Sequence, residues 1–132
     1  KPGGWIEYID IDEVSHLSPT AKRLISTVGS NLESQGINLT LQCDDIFEFL
    51  NATDQINEIY GDDRLTPVGK WGGDVGRLAL ESFNNMFQIN NSRKWLNVSN
   101  KEYDAMIKQS EKEIEYYHTN LVSRRVYCQK NI

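Results

Sequence analysis

Lys70, Asp74, Arg77 and His118 are of the types that hold phosphates or move protons, and the first three lie in or beside "GKWGGD", Gly69 to Asp74. Clustered glycines let a ligand approach the backbone, so Lys70, Asp74 and Arg77 would surround whatever entered this loop. Lys70, Arg77, His118 and Arg124 together would make a cationic pocket, suited to a nuclease or another phosphate-handling toxin or effector enzyme. A boundary loop leading into a capped helix accounts for the same residues without chemistry. Little else supports an enzyme. His16 and His118 stand 102 positions apart, and the chain has neither a Gly-x-Ser-x-Gly elbow nor a phosphate-cradling Gly-rich loop ending in Lys-Ser/Thr. Asp44-Asp45 and Asp62-Asp63 read as helix caps and turn residues in preference to metal ligands. Cys43 and Cys128 are at no metal spacing and read as reduced structural thiols, with a bridge between them as the alternative. No metal and no cofactor is expected, and the balance falls against an enzyme.

A second constellation is suited to binding. Ser15, His16, Ser18 and Thr20 share the corner "SHLSPTA", Ser15 to Ala21, between an apolar alternating stretch and a helix that opens Ser-Pro. From Trp5 to Ile11 the side chains alternate, with Trp5, Glu7, Ile9 and Ile11 on one side and Ile6, Tyr8 and Asp10 on the other. That is the period of a strand covered on at least one face. Ser18 is a good N-cap, Pro19 suits the first helical position, and Gly36 supplies the stop. Between them Ala21, Leu24, Ile25, Val28 and Leu32 form one apolar stripe. "INLTLQ", Ile37 to Gln42, then alternates again, and strand, helix and strand in that span predict a parallel βαβ unit. The free N–H groups at the start of its helix would favour an anion, or a carboxylate from a partner, at the corner.

Beyond that unit, Asp44 or Asp45 can cap a short helix through Leu50, and Thr53 or Asp54 another through Tyr60, with a turn at Asp62 to Arg64. "GDDRLTPVGKWGG", residues 61 to 73, concentrates Gly and Pro and marks the one plausible boundary. It divides an α/β unit over residues 1–65 from an α-helical extension over 66–132, expected to pack on the same core. In the extension Asp74 caps a helix with Val75, Leu78, Ala79, Phe83, Met86 and Phe87 along a stripe. Ser99 and Glu102 form a capping box that opens a long final helix. The net charge of −5 argues against a general binder of polyanions. Residues 1–65 carry 4 − 12 = −8 and residues 66–132 carry 10 − 7 = +3, so the halves attract each other or different partners. No apolar run approaches the roughly 18 residues that cross a bilayer. A start at Lys1 reads as a processed or excised chain; the expected location is cytoplasmic, with a secreted effector as the alternative.

The first half resembles the STAS family, the small α/β domains named for sulphate transporters and anti-sigma-factor antagonists. The resemblance is carried by "IDIDEV" (Ile9 to Val14), the corner "SHLSPTA", the helix through Leu32, "QGINLTLQ" (Gln35 to Gln42) and "DIFEFLNATDQ", about 50 of the 132 residues. It implies a regulatory domain that meets another protein at the strand-to-helix corner, with Ser15, His16, Ser18 and Thr20 as the binding residues. Family members regulated by phosphorylation have Asp-Ser-Ser or Asp-Ser-Thr there. Here Ser18, Pro19 and Thr20 correspond, which puts Pro where the modified hydroxyl would stand.

The leading expectation is a non-enzymatic protein-binding regulatory module. Its fold would be a small parallel or mixed sheet with an N-terminal βαβ unit and a helical C-terminal extension. The alternatives are the small toxin or effector enzyme, for which alone nucleic acid would be a partner, and an acidic immunity or inhibitor protein that blocks a basic enzyme.

Overall fold

The computed structural model describes residues 1–37, 43–89 and 92–131. In chain order the elements are β1 (Trp5–Ser15), α1 (Pro19–Ser34), α2 (Cys43–Asn51), β2 (Ile56–Pro67), a 3-10 turn (Lys70–Gly72), α3 (Gly73–Ile89), α4 (Ser92–Leu96), α5 (Asn100–Tyr117) and β3 (Asn120–Lys130). They fall into two compact units, each assembled from separated stretches of chain. The first spans Lys1–Glu13, Thr40–Leu65 and Leu121–Ile132, and the second Val14–Leu39 and Thr66–Asn120.

Among the described residues the first unit is a three-stranded sheet with one helix. The strands are antiparallel in the order β1-β3-β2, which overturns the expected parallel or mixed sheet and its N-terminal βαβ unit. Alternation marks a strand but says nothing about its neighbour, and β1 pairs with β3 from the far end of the chain. The stretch expected as the second parallel strand lies outside the described residues except for Ile37, an exposed loop residue.

The helix expected to run through Tyr60 is β2. Asp54 has a left-handed φ of 52°, unlike the extended backbone of a helix N-cap. Asp62 and Asp63, expected in a turn, lie within β2, where Arg125 and Arg124 of β3 take their carboxylates. Opposite charges across neighbouring strands offset the poor strand preference of aspartate. One face of the sheet carries Arg124, buried Val126 and buried Cys128 on β3. Phe47 of α2 lies against Gly61 of β2 on that side. The Cys128 thiol is free, and burial pushes its pKa up.

The second unit is helical, with α1 packed on α3, α4 and α5. Ala21, Leu24 and Val28 form the buried stripe of α1, as the spacing predicts, and Phe83, Phe87, Tyr103 and Ile114 complete the core. Phe83 and Phe87 meet edge to face at 5.1 Å. The Ser18 hydroxyl accepts from the Ala21 amide at 3.1 Å, and Ser99 and Glu102 form the expected capping box. The stripe expected on α3 holds only in its second half, because Val75 and Leu78 face solvent.

Candidate functional site

The corner closes on itself. Ser18 is fully buried as the N-cap of α1. His16 is exposed with a left-handed φ of 55°, its carbonyl accepting from the Thr119 hydroxyl at 2.9 Å, and Ser15 is half-buried at the end of β1. The Thr20 amide and hydroxyl donate to the two oxygens of Glu113 on α5, at 3.1 and 3.0 Å. The carboxylate expected from a partner at this helix start is therefore supplied by the chain. Burial pushes the Glu113 pKa up, but hydrogen bonds from Gln109, Ser18 and Thr20 outweigh it and hold the acid below its ordinary range.

The loop at Gly69 to Asp74 is likewise committed to internal contacts. The amides of Lys70 and Trp71 both donate to the Glu115 carboxylate of α5. The Trp71 indole donates to the Val68 carbonyl at 2.7 Å and stacks on the His118 ring, centroids 4.6 Å apart. Gly69 has a φ of 115°, and a Cβ on Gly76 would collide with the Gly69 carbonyl, so the glycines serve close backbone packing. Asp74 pairs with Arg77 on the surface of α3. Of the proposed pocket, the structure sets His118 on Trp71, beside Lys70 in sequence. Arg124 belongs to the sheet unit, where Asp12, Asp44 and Asp63 hold it at 3.3, 3.0 and 2.7 Å. The Asp63 hydrogen bond leads in raising the Arg124 pKa, and the same bond lowers that of Asp63. Among the described residues no group of three His, Cys, Asp or Glu is placed to hold a metal ion.

The other face of the sheet remains open. Trp5, Ile9 and Ile11, alternate residues of β1, are 62%, 61% and 53% exposed. Tyr127 of β3 lies between Tyr60 of β2 and Trp5, with ring centroids 5.3 and 6.4 Å away. The Arg125 guanidinium sits 4.7 Å from the Tyr127 centroid and is held by Asp62 and, at 3.4 Å, by Glu7. Its pKa is raised, first by the Asp62 hydrogen bond. A depression of about 270 Å³ opens among Ile9, Asp62, Arg64, Ser123 and the two arginines. The row of rings and aliphatic side chains, with one arginine fixed in the middle, has the composition of a protein-recognition surface.

The unit that carries this face is strongly acidic. It holds five Lys/Arg against eleven Asp/Glu, 5 − 11 = −6, while the helical unit holds nine against eight, 9 − 8 = +1. The fold thus concentrates on one unit a charge that the two halves of the sequence divide differently. Sequence reasoning grouped Trp5, Glu7, Ile9 and Ile11 on one side of a strand but had no means of telling that this side is uncovered. The Tyr60–Tyr127 stack depends on a pairing between distant strands. No model of a known protein family and no curated protein matches the chain.

Proposed function

We propose that this chain is a protein-binding module that takes a positively charged partner on the open face of its acidic sheet. The observation that carries this function is the exposed row Trp5, Ile9 and Ile11, continued by the Tyr60–Tyr127 stack, on a unit of net charge −6. Apolar side chains supply the area that binding removes from water, and the surrounding carboxylates steer a basic partner and reject acidic ones. Phosphate backbones would be repelled by the same field, which sets nucleic acid aside. In these terms the chain acts as an acidic inhibitor or adaptor, with the sheet in place of the corner at residues 15–21 as its contact surface. The corner's helix start is already satisfied by Glu113, which supports the change of surface.

Selection of a displayed random-peptide library on the immobilised full chain tests this. Recovered peptides should be rich in Lys and Arg, lose about tenfold or more in affinity between low and moderate salt, and lose binding to the Trp5→Ala and Tyr127→Ala variants. Both changes remove side chains from the sheet surface, so the fold should survive them. Recovery of neutral or acidic peptides, or of peptides indifferent to both substitutions, would overturn the assignment.

A further inference from the structure

We infer that the partner anchors itself on the open face by one aromatic side chain, tryptophan or tyrosine, carried among its Lys and Arg residues and seated in the depression beside Arg125. This deepens the proposed function and rests on it. The site lies wholly within the sheet unit, where the walls of the depression of about 270 Å³ include Ile9 of β1, Asp62 and Arg64 of β2, and Ser123 and Arg125 of β3. Ser123 and Tyr127 stand two residues to either side of Arg125, so both share its face of β3. The guanidinium lies over the Tyr127 ring, 4.7 Å from the centroid, and the depression opens on the Ser123 side. One flank of Arg125 therefore rests on a ring while the other borders the depression. A partner's ring placed there continues the stack that runs from Tyr60 through Tyr127 to Arg125.

The chemistry of the walls selects a ring. The edges of the Arg125 guanidinium are engaged within the chain: Nε donates to Asp62 at 3.1 Å, Nη2 donates to the same carboxylate, and Nη1 donates to Glu7 at 3.4 Å. These bonds hold the guanidinium in one orientation and leave its flat face for stacking. A partner cation placed here would be repelled by Arg64 and Arg125, and a partner carboxylate would compete with Asp62 and Glu7 for the Arg125 N–H groups. The lining is mostly apolar, and Ile9, 61% exposed, offers aliphatic surface that an arriving ring removes from water. The Ser123 hydroxyl and the Asp62 carboxylate border the same space as acceptors for an indole N–H or a phenol O–H, which favours Trp and Tyr over Phe. Cations flanking the ring would meet Glu7 and Glu58, which share the open face by the alternation of β1 and β2.

The test uses the full chain and a set of dye-labelled peptides, Lys-Lys-X-Lys-Lys with X as Trp, Tyr, Leu, Ala or Glu, followed by fluorescence anisotropy at low salt. The Trp and Tyr peptides should bind about fivefold or more tighter than the Leu and Ala peptides, and the Ile9 methyl signals should move upfield in the ring current of the bound Trp. Ser123→Trp fills the depression from the chain's own side, and Arg125→Lys keeps the charge but removes the flat face. In each variant the affinity of the Trp peptide should fall to within about twofold of that of the Ala peptide. Equal binding of the Trp, Leu and Ala peptides, tightest binding of the Glu peptide, or a Trp advantage undiminished in either folded variant would overturn the aromatic anchor. In each of these cases, binding of the Leu and Ala peptides that weakens with salt leaves recognition of basic partners standing. Failure of every peptide to bind would also overturn the anchor, and the library selection then judges the broader function separately.

Discussion

Replacing Glu113 by Gln should loosen the helical unit at the start of α1, and the size of the effect can be worked from its contacts. The carboxylate accepts from the Thr20 amide at 3.1 Å, the Thr20 hydroxyl at 3.0 Å and the Gln109 amide at 2.9 Å. It also faces the positive end of the α1 dipole. Hydrogen bonds to a charged group contribute about 1.5–3 kcal/mol each when sheltered, and a helix-start carboxylate typically about 0.3–1 kcal/mol. The site is only partly buried and Gln keeps one acceptor oxygen, so a loss of about 1–2 kcal/mol is expected from Glu113→Gln. At the size of this chain that corresponds to a fall in Tm of about 4–8 °C.

The effect has a definite pH signature. Because the folded Glu113 pKa is lowered, its contribution is present above the unfolded glutamate value of about 4.3. It disappears as the pH falls through the folded value. Thermal or urea unfolding of both proteins at pH 7 and at pH 3 should therefore show a gap at neutrality that narrows in acid. A Thr20→Val variant should show most of its penalty only when Glu113 is present, in a double-mutant cycle. A gap below about 0.5 kcal/mol at pH 7, or one that persists undiminished in acid, would refute the reasoning.

Other substitutions probe the packing. Phe87→Ala removes a fully buried ring that meets Phe83 edge to face, and should cost about 3–5 kcal/mol by urea unfolding. Gly76→Ala and Gly29→Ala should move in opposite directions. At Gly76 a methyl group collides with the Gly69 carbonyl, so Tm should fall; Gly29 meets nothing within 4 Å in α1, so alanine there should add about 0.5–1 kcal/mol. Arg124→Met should lower stability at neutral pH, because Asp12, with only 10% of its side chain exposed, loses a cation together with Asp44 and Asp63. Asp63 has a lowered folded pKa, so this penalty too should shrink as the pH falls below the ordinary aspartate range.

Local signals identify the elements whose stability is local. Ser18 followed by Pro19, with the stripe through Val28, marks α1, and Ser99 with Glu102 marks α5, because each cap is satisfied within one turn. The period of two marks β1 for the same reason. What sequence reasoning could not reach depends on residues far apart in the chain. β2 contains Gly61, Asp62 and Asp63, a poor strand on propensity, and it is the arginines of β3 that make it tenable. Parallel or antiparallel pairing is decided by which strand lies alongside, and the strands described beside one another, β1, β3 and β2, are antiparallel where β1 followed by a helix suggested a parallel crossover. The candidate site divides in the same way. Trp5, Ile9 and Ile11 were legible as one row, while their exposure and the ring stack beside them follow from the assembled sheet. At the corner, Thr20 was legible as a contact residue beside helix-start N–H groups that favour a carboxylate, but Glu113 stands 93 positions away and no spacing links the two.

The most direct measurement is a backbone NMR titration of the full, isotopically labelled chain with the tightest Lys- and Arg-rich peptide recovered from the library selection. Recognition by the sheet predicts shifts concentrated along Trp5 to Glu13 and around Tyr60, Arg125 and Tyr127, abolished by Trp5→Ala with Tyr127→Ala. Shifts centred on Ser15 to Ala21 or on the helices, or no shifts at any peptide concentration, would contradict it.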